Sequence, residues 1–298
     1  MTEKEEFKIQ ASDGLTIHGV HYRPAEPCGV LQIIHGAKEH KERYDEFAFF
    51  LCEHGIAVVI ADNRGHGASV SDAYFLGHMG KLSVMLSDLY QVNSWMREQW
   101  PDLPCYVLGH SLGSVFARSL LLEYQTHTKG LILSGPAAYN SSVKTGLTMA
   151  AILTLLTGKK GHSRILMKLG DGDDDSWVCS DPLVMDAYRS DPLCSGYKYT
   201  NQSIQTIWMG DERMAGKRSR GNSESIPPVL SISGSDDPVT GGEEGLKESF
   251  RLLKEQGCPD IRNIVYPGMK HEVLNETGKA QVWKDVLDWV LDKRENVR

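Results

Sequence analysis

A serine held between two glycines, Gly109-His110-Ser111-Leu112-Gly113, is the stretch of this chain best suited to nucleophilic chemistry. Serine at its free pKa is a weak nucleophile, so a general base must take its proton and a carboxylate must orient that base. An apolar run, Cys105 to Leu108, reads as a short buried strand before it, and Val115, Leu120, Leu121 and Leu122 follow at helical spacing. G-x-S-x-G between a strand and a helix predicts a tight turn that lifts Ser111 above a sheet. Glycine at 109 and 113 leaves room for strand and helix to come into near contact. The helix start behind Ser111 also aims free N–H groups at a developing oxyanion.

In proteins with this turn the partners follow in the order Ser, Asp or Glu, His. Of eleven histidines, only His127, His162 and His271 come after Ser111. His127 ends the predicted helix, on the wrong edge of the sheet, and His162 falls in an irregular segment. His271 follows the last predicted strand, in Tyr266-Pro267-Gly268-Met269-Lys270-His271-Glu272, and is the expected base. The acid is expected in Gly234-Ser235-Asp236-Asp237-Pro238-Val239, after the preceding strand. Neighbouring side chains point different ways, so only one aspartate can reach His271. Pro238 stiffens the backbone directly after Asp237, which favours Asp237 and leaves Asp236 to bond the turn. Two N–H donors, each worth about 3 kcal/mol in the transition state, should complete the site. Leu112 is one, and Ala37, in His35-Gly36-Ala37-Lys38-Glu39-His40, is the expected second. His35 reads as a structural residue of that loop.

Positioning these residues requires a parallel sheet covered on both faces. Phe7 to Gln10 and Leu15 to Tyr22 alternate apolar and polar around Ser12-Asp13-Gly14, which predicts a hairpin with one exposed face. From Gly29 the pattern changes to near-continuous apolar runs, Val30 to Ile34 and Ile56 to Ala61, separated by a helical stretch from Tyr44 to His54. Helical Lys81 to Trp100, the strand before Ser111, a helix from Leu112 to Tyr124 and a strand at Gly130 to Ser134 continue the rhythm. It breaks after Gly135-Pro136 and resumes at Pro228 to Ser233, with a helix at Gly245 to Gln256, a strand at Ile261 to Tyr266 and a last amphipathic helix from Gly278 to Lys293. About eight strands and no internal repeat result. The expected organisation is a core at 1–136, a helical lid at 137–226 and the rest of the core at 227–298. An insertion on the C-terminal edge of a parallel sheet sits over the crevice where such sheets bind ligands.

At 298 residues the chain can bury a large core. A net charge of −7 and a pI near 5.9 argue against nucleic acid as a partner, and Lys217-Arg218-Ser219-Arg220 reads as a solvated basic loop. The charged N-terminus lacks the apolar core of a secretory signal. Cysteines are scattered, with Cys52, Cys105 and Cys179 in apolar contexts that suggest buried thiols, so a reducing cytoplasm is expected. Asp171, Asp173 and Asp175 have calcium-loop spacing, but Ser176 and Pro182 stand where glycine and glutamate are needed, so a solvated acidic loop is expected and no metal. Leu147 to Leu156 is apolar almost all round, so this helix must pack, cover a ligand or touch lipid. With Lys159 and Lys160 beyond it, transient contact with a membrane surface is expected, whereas stable insertion is not. The sequence carries no signal for an oligomeric state.

These residues together resemble the α/β-hydrolase superfamily, in its monoacylglycerol lipase and lysophospholipase-like branch. The resemblance spans nearly the whole chain. It rests on the elbow, on His35-Gly36-Ala37-x-Glu39-His40 with Arg43-Tyr44, and on Asp62-Asn63-Arg64-Gly65-His66-Gly67-Ala68-Ser69. Asp191-Pro192-Leu193-Cys194 and Gly268 to Glu276 are also shared patterns. The resemblance implies an esterase without metal or cofactor, with Ser111, Asp237 and His271 as triad and Ala37 and Leu112 as oxyanion donors. It also implies a lid lining an acyl pocket, to which Leu147 and Ile152 would belong, and sets Glu39 near a polar head-group site or in the backbone bonding of its own loop. Lys38 departs from the pattern, where a small glycine is common. Arg64 and His66 read as a hydrogen-bonded brace between loops rather than as chemistry.

The expected activity is hydrolysis of esters with medium or long acyl chains through an acyl-enzyme, the substrate being a monoacylglycerol or lysophospholipid-like lipid. A peptidase or acyltransferase using the same triad is the nearest rival. A binding module that has lost turnover is the rival from another class. Dehalogenases and epoxide hydrolases of this fold need aspartate at the elbow, so Ser111 excludes them.

Overall fold

The computed structural model describes residues 3–170 and 174–295. They form eight strands in one sheet: β1 (Glu3–Gln10), β2 (Thr16–Arg23), β3 (Gly29–Ile34), β4 (Ile56–Ala61), β5 (Cys105–His110), β6 (Thr128–Ser134), β7 (Val229–Gly234) and β8 (Ile261–Tyr266). Their spatial order is β1-β2-β4-β3-β5-β6-β7-β8. β2 runs antiparallel to β1 and β4, and every later pairing is parallel.

Successive side chains of a strand point to opposite faces, and the continuous apolar runs supply a core on each side. Tyr106 and Leu108 of β5 pack with α1 (Asp45–Glu53) and α9 (Lys279–Glu295), among Phe47, Leu51, Val282, Val286 and Trp289. Val107, between them, packs on the other face with α2 (Leu82–Gln99) and α3 (Leu112–Glu123), among Met85, Leu89, Phe116 and Leu120. α8 (Gly242–Glu255) joins that second face through Leu253.

The hairpin differs from its alternating pattern in one respect. Gly19 to Tyr22 of β2 are all buried, so both faces of this interior strand are covered there. Gly19 makes this feasible: the Phe7 ring fills the space where its side chain would be and stacks on Trp95 at 4.0 Å.

Between β6 and β7 the chain forms α4 (Val143–Thr157), α5 (Arg164–Gly170), α6 (Pro182–Ser190) and α7 (Asn201–Met214). α7 packs on α3 behind Ser111 through Ile204 and Gly210, whose missing side chain admits Val115 and Phe116. Lys217, Arg218 and Arg220 are exposed, as the basic cluster suggested. Asp171 and Asp173 lie outside the described residues, and Asp175 is tied to Arg189 at 2.7 and 2.9 Å. Cys52, Cys105 and Cys179 are buried. Among the described residues no helix is long and apolar enough to cross a membrane.

Candidate active site

Ser111 sits between β5 and α3 with φ 51° and ψ −121°, a left-handed backbone that costs a non-glycine residue strain. The flanking glycines explain how the turn closes. A β-carbon at 113 would lie 2.0 Å from the Ile34 carbonyl oxygen, and one at 109 would lie 2.3 Å from that of Gly113. Leu112 opens α3, where a helix leaves its first N–H groups without intrahelical acceptors. Ile34 pairs with Gly109, so the loop after β3 begins beside the elbow. Gly36 abuts Ser111 there: a β-carbon at 36 would stand 3.0 Å from that of Ser111. Ala37 and Lys38 form the turn that follows.

Adjacency of β7 and β8 brings the other two residues together. The Asp236 N–H donates to the Met269 carbonyl at 3.0 Å, joining the two loops. His271 Nδ1 lies 2.9 Å from Asp237 Oδ2, with both side chains nearly fully buried. A carboxylate only accepts, so Nδ1 is the donor of this bond. Nε2 has no hydrogen-bond partner among the described residues. Asp237 Oδ1 accepts from the Val239 N–H, fixing the carboxylate. Asp236 turns away, exposed, and accepts from the Ser235 hydroxyl.

His271 lies close to the elbow. Its ring centroid is 4.8 Å from that of His110, and the space beside Gly135, directly after β6, is filled by its Nδ1. Burial, and then the neighbouring His271, push the His110 pKa down to about 3, so this ring is neutral. Trp177, from the segment between α5 and α6, packs edge-on against His271 at 5.0 Å, and the Glu272 N–H donates to the Val178 carbonyl at 2.8 Å. His127 is exposed beside Glu224 at the start of β6, and His162 bonds the Tyr199 carbonyl.

Glu39 is buried against its own loop. It is 2% exposed and accepts hydrogen bonds from the Gly36 N–H, the Tyr44 hydroxyl and Arg43. The bond to Gly36 is the loop bonding that was one of its two expected roles. Burial raises its pKa to about 7, Arg43 opposing the shift and Glu272 adding to it. Burial raises the Glu272 carboxyl too, but the bidentate Arg43 outweighs it and holds Glu272 below the usual range. The guanidinium charge is therefore shared unequally, in favour of Glu272. Arg64 is fully buried and bridges Asp88 and Asp13, while His66 reaches Tyr199, so both brace loops as expected.

A cavity of about 460 Å³ opens from Ser111 and Leu112 between α4 and α7. Val115, Val143, Met149, Ile207 and Trp208 are its apolar walls, and Asn140 and Asp211 its polar ones. Leu147 and Ile152 are not in its lining; Ile152 is 57% exposed on the outer side of α4. The expected acyl-wall positions thus fall outside this lining, and Ile152 borders the neighbouring cavity with Met149. The physical reason is that α4 is apolar all round, so its sequence has no polar stripe to say which face turns inward. Burial pushes the Asp211 carboxyl up to about 6. Neither Asp211 nor Trp177 carries a sequence signal, because each gains its position only through tertiary contact.

Comparison with known proteins agrees with this architecture. The family described as Hydrolase_4, serine aminopeptidase S33, matches residues 25–278. The monoacylglycerol lipase of Mycolicibacterium smegmatis is 29% identical over 284 residues, covering 92% of each chain. The monoglyceride lipase of Rattus norvegicus is 27% identical, covering 94% of this chain and 88% of its own. Among solved structures, a thermostable carboxyl esterase from Bacillus coagulans in complex with glycerol superposes with a TM-score of 0.85 at 24% identity, over 98% of this chain and 99% of that one. A monoglyceride lipase variant from Saccharomyces cerevisiae in complex with a substrate analogue gives a TM-score of 0.76 at 19% identity, over 98% and 94%. The chain belongs to the Hydrolase_4 family of α/β-hydrolases, in the branch that contains the monoacylglycerol lipases.

Proposed function

We propose that this carboxylic ester hydrolase acts through an acyl-enzyme on Ser111, with His271 as general base and Asp237 as its orienting acid. The observation that carries the reading is the buried Asp237–His271 bond, which presents an unpartnered Nε2 beside the elbow. Nε2 takes the Ser111 proton as Oγ attacks the ester carbonyl, and the Ala37 and Leu112 N–H groups stabilise the oxyanion. Collapse expels the alcohol, which takes the proton from His271. Water then adds to the acyl-enzyme by the same route, releasing the acid and restoring Ser111.

The substrate class is an ester of a medium or long acyl chain, monoacylglycerol or lysophospholipid-like. The mainly apolar cavity at Ser111 and the lipase relatives support it. Residues 137–226 act as a lid over that cavity. Ile152, Leu155 and Leu156 stand exposed on α4, with Lys159 and Lys160 beyond, and this face suits transient contact with a lipid surface. Ser111→Ala should abolish ester turnover and labelling by a fluorophosphonate probe, and unchanged hydrolysis would reject the mechanism. Profiling esters across chain length, with and without a glycerol head, tests the substrate class. Cleavage of aminoacyl amides without ester cleavage would favour the peptidase named in the family description.

A further inference from the structure

Three loops meet at the Tyr199 hydroxyl. Tyr199 precedes α7, is 2% exposed and belongs to the segment inserted between β6 and β7. Its oxygen lies 2.9 Å from the Lys38 backbone nitrogen and 2.8 Å from His66 Nε2. The direction of each hydrogen bond follows from the acceptors. His66 Nδ1 is 3.1 Å from the Arg64 carbonyl, which can only accept, so Nδ1 carries the proton. Nε2 is then a lone pair and accepts from the Tyr199 hydroxyl, leaving that oxygen to accept from the Lys38 N–H. Burial lowers the His66 pKa to about 4, which keeps the ring in this neutral form.

Lys38 directly follows Ala37 and holds a left-handed φ of 51°, in a region that lysine rarely adopts. Strained backbone of this kind persists only where its surroundings over-determine it. The neighbours of Tyr199 are themselves fixed: Thr200 bonds His78 at 2.9 Å, and Ser203 bonds the Gly77 carbonyl at 2.8 Å. His66 is held in turn by an edge contact with His35 at 5.2 Å.

We propose that Tyr199 is a positioning residue for ester hydrolysis, aiming the Ala37 amide by holding Lys38 in its strained turn from the inserted segment. The inference rests on the oxyanion role proposed for Ala37. It makes a competent oxyanion loop depend on docking of the helices between β6 and β7. Misplacing one donor by an ångström is enough to cost about 100-fold in rate.

The test is Tyr199→Phe, which keeps the ring and removes the hydroxyl. Its kcat should fall about 10- to 100-fold with KM within about threefold. Affinity for a trifluoromethyl ketone, which forms a tetrahedral adduct on Ser111, should fall in parallel, while affinity for a non-hydrolysable ether analogue stays level. His66→Leu removes the acceptor that orients the hydroxyl and should give a smaller fall of the same sign. The double variant should lose no more than Tyr199→Phe alone. If Tyr199→Phe does not fold, His66→Leu carries the test by itself. A lowered Tm with unchanged kcat, or a loss confined to KM, overturns the proposal. Should Ser111→Ala be inactive while Tyr199→Phe behaves as wild type, only the positioning role fails. Activity persisting in Ser111→Ala defeats the underlying mechanism instead.

Discussion

Arg43 grips Glu272 through two hydrogen bonds, 2.6 and 2.7 Å long, and Glu272 is the residue that follows His271. The same guanidinium reaches Glu39 at 3.3 Å, and Glu39 holds the Gly36 N–H. One largely buried cation thus ties the loop carrying the imidazole to the loop beside the elbow. Removing one partner of a buried ion pair strands the other charge, which costs about 3–5 kcal/mol. Arg43→Ala should lose stability on that scale in urea unfolding. Arg43→Lys should recover only part of it, because an ammonium cannot form the coplanar pair of hydrogen bonds. A loss below about 1 kcal/mol for Arg43→Ala would mean the clamp is idle.

The two neighbouring aspartates should differ sharply in their substitution effects. Asp237→Asn retains shape but favours the wrong imidazole tautomer, and kcat should drop roughly 10³- to 10⁴-fold. Asp236→Asn alters only an exposed bond to Ser235 and should change kcat by less than about threefold. Equal effects at both positions would contradict the assignment of the acid.

Gly113→Ala should be among the most damaging small substitutions in the chain. The added carbon would stand 2.0 Å from a backbone oxygen, which cannot swing aside as a side chain can. A loss of about 3 kcal/mol or more is expected, with activity falling as α3 is pushed off β3. A variant of wild-type stability and kcat would show the contact to be looser than described.

Buried neutral histidines should make the fold acid-sensitive. Burial is the main reason that His66 is held near a pKa of about 4 and His110 near about 3. Unfolded, each would titrate near 6.5. As pH falls below about 6.5 the unfolded chain takes up protons that the folded chain refuses. The stabilisation is therefore complete above that pH and is lost down through the folded pKa values. His66 alone accounts for about 3 kcal/mol across this window. Urea midpoints at pH 7, 5.5 and 4.5 should decline steadily, and less steeply in His66→Gln. A flat profile would mean the rings are not buried neutral.

Met149 and Ile152 share a helix but should divide its functions. Met149 lines the cavity, so Met149→Trp should lower kcat/KM for long acyl chains about tenfold or more while sparing short ones. Ile152 faces outward, so Ile152→Ser should leave hydrolysis of a soluble ester unchanged and weaken binding to lipid vesicles. Reversed phenotypes would put the acyl chain on the other side of α4.

The sequence by itself determined the parallel sheet and the tight turn at Ser111, and chain order singled out His271 as the base proposed above, since apolar runs, glycine spacing and chain order are local or directional signals. It also favoured Asp237 through Pro238, and Asp237 lies 2.9 Å from His271 Nδ1. Tertiary structure alone decided what lies across the sheet edge: Trp177 against His271, Arg43 between Glu39 and Glu272, and Tyr199 under Lys38. It also decided which residue of α4 borders the cavity at Ser111, which is Met149 and neither Leu147 nor Ile152. Apart from the Arg43–Glu39 pair, such contacts join residues far apart along the chain. A helix apolar on every side, or a lone tyrosine in an irregular stretch, has no periodicity from which its partner could be read.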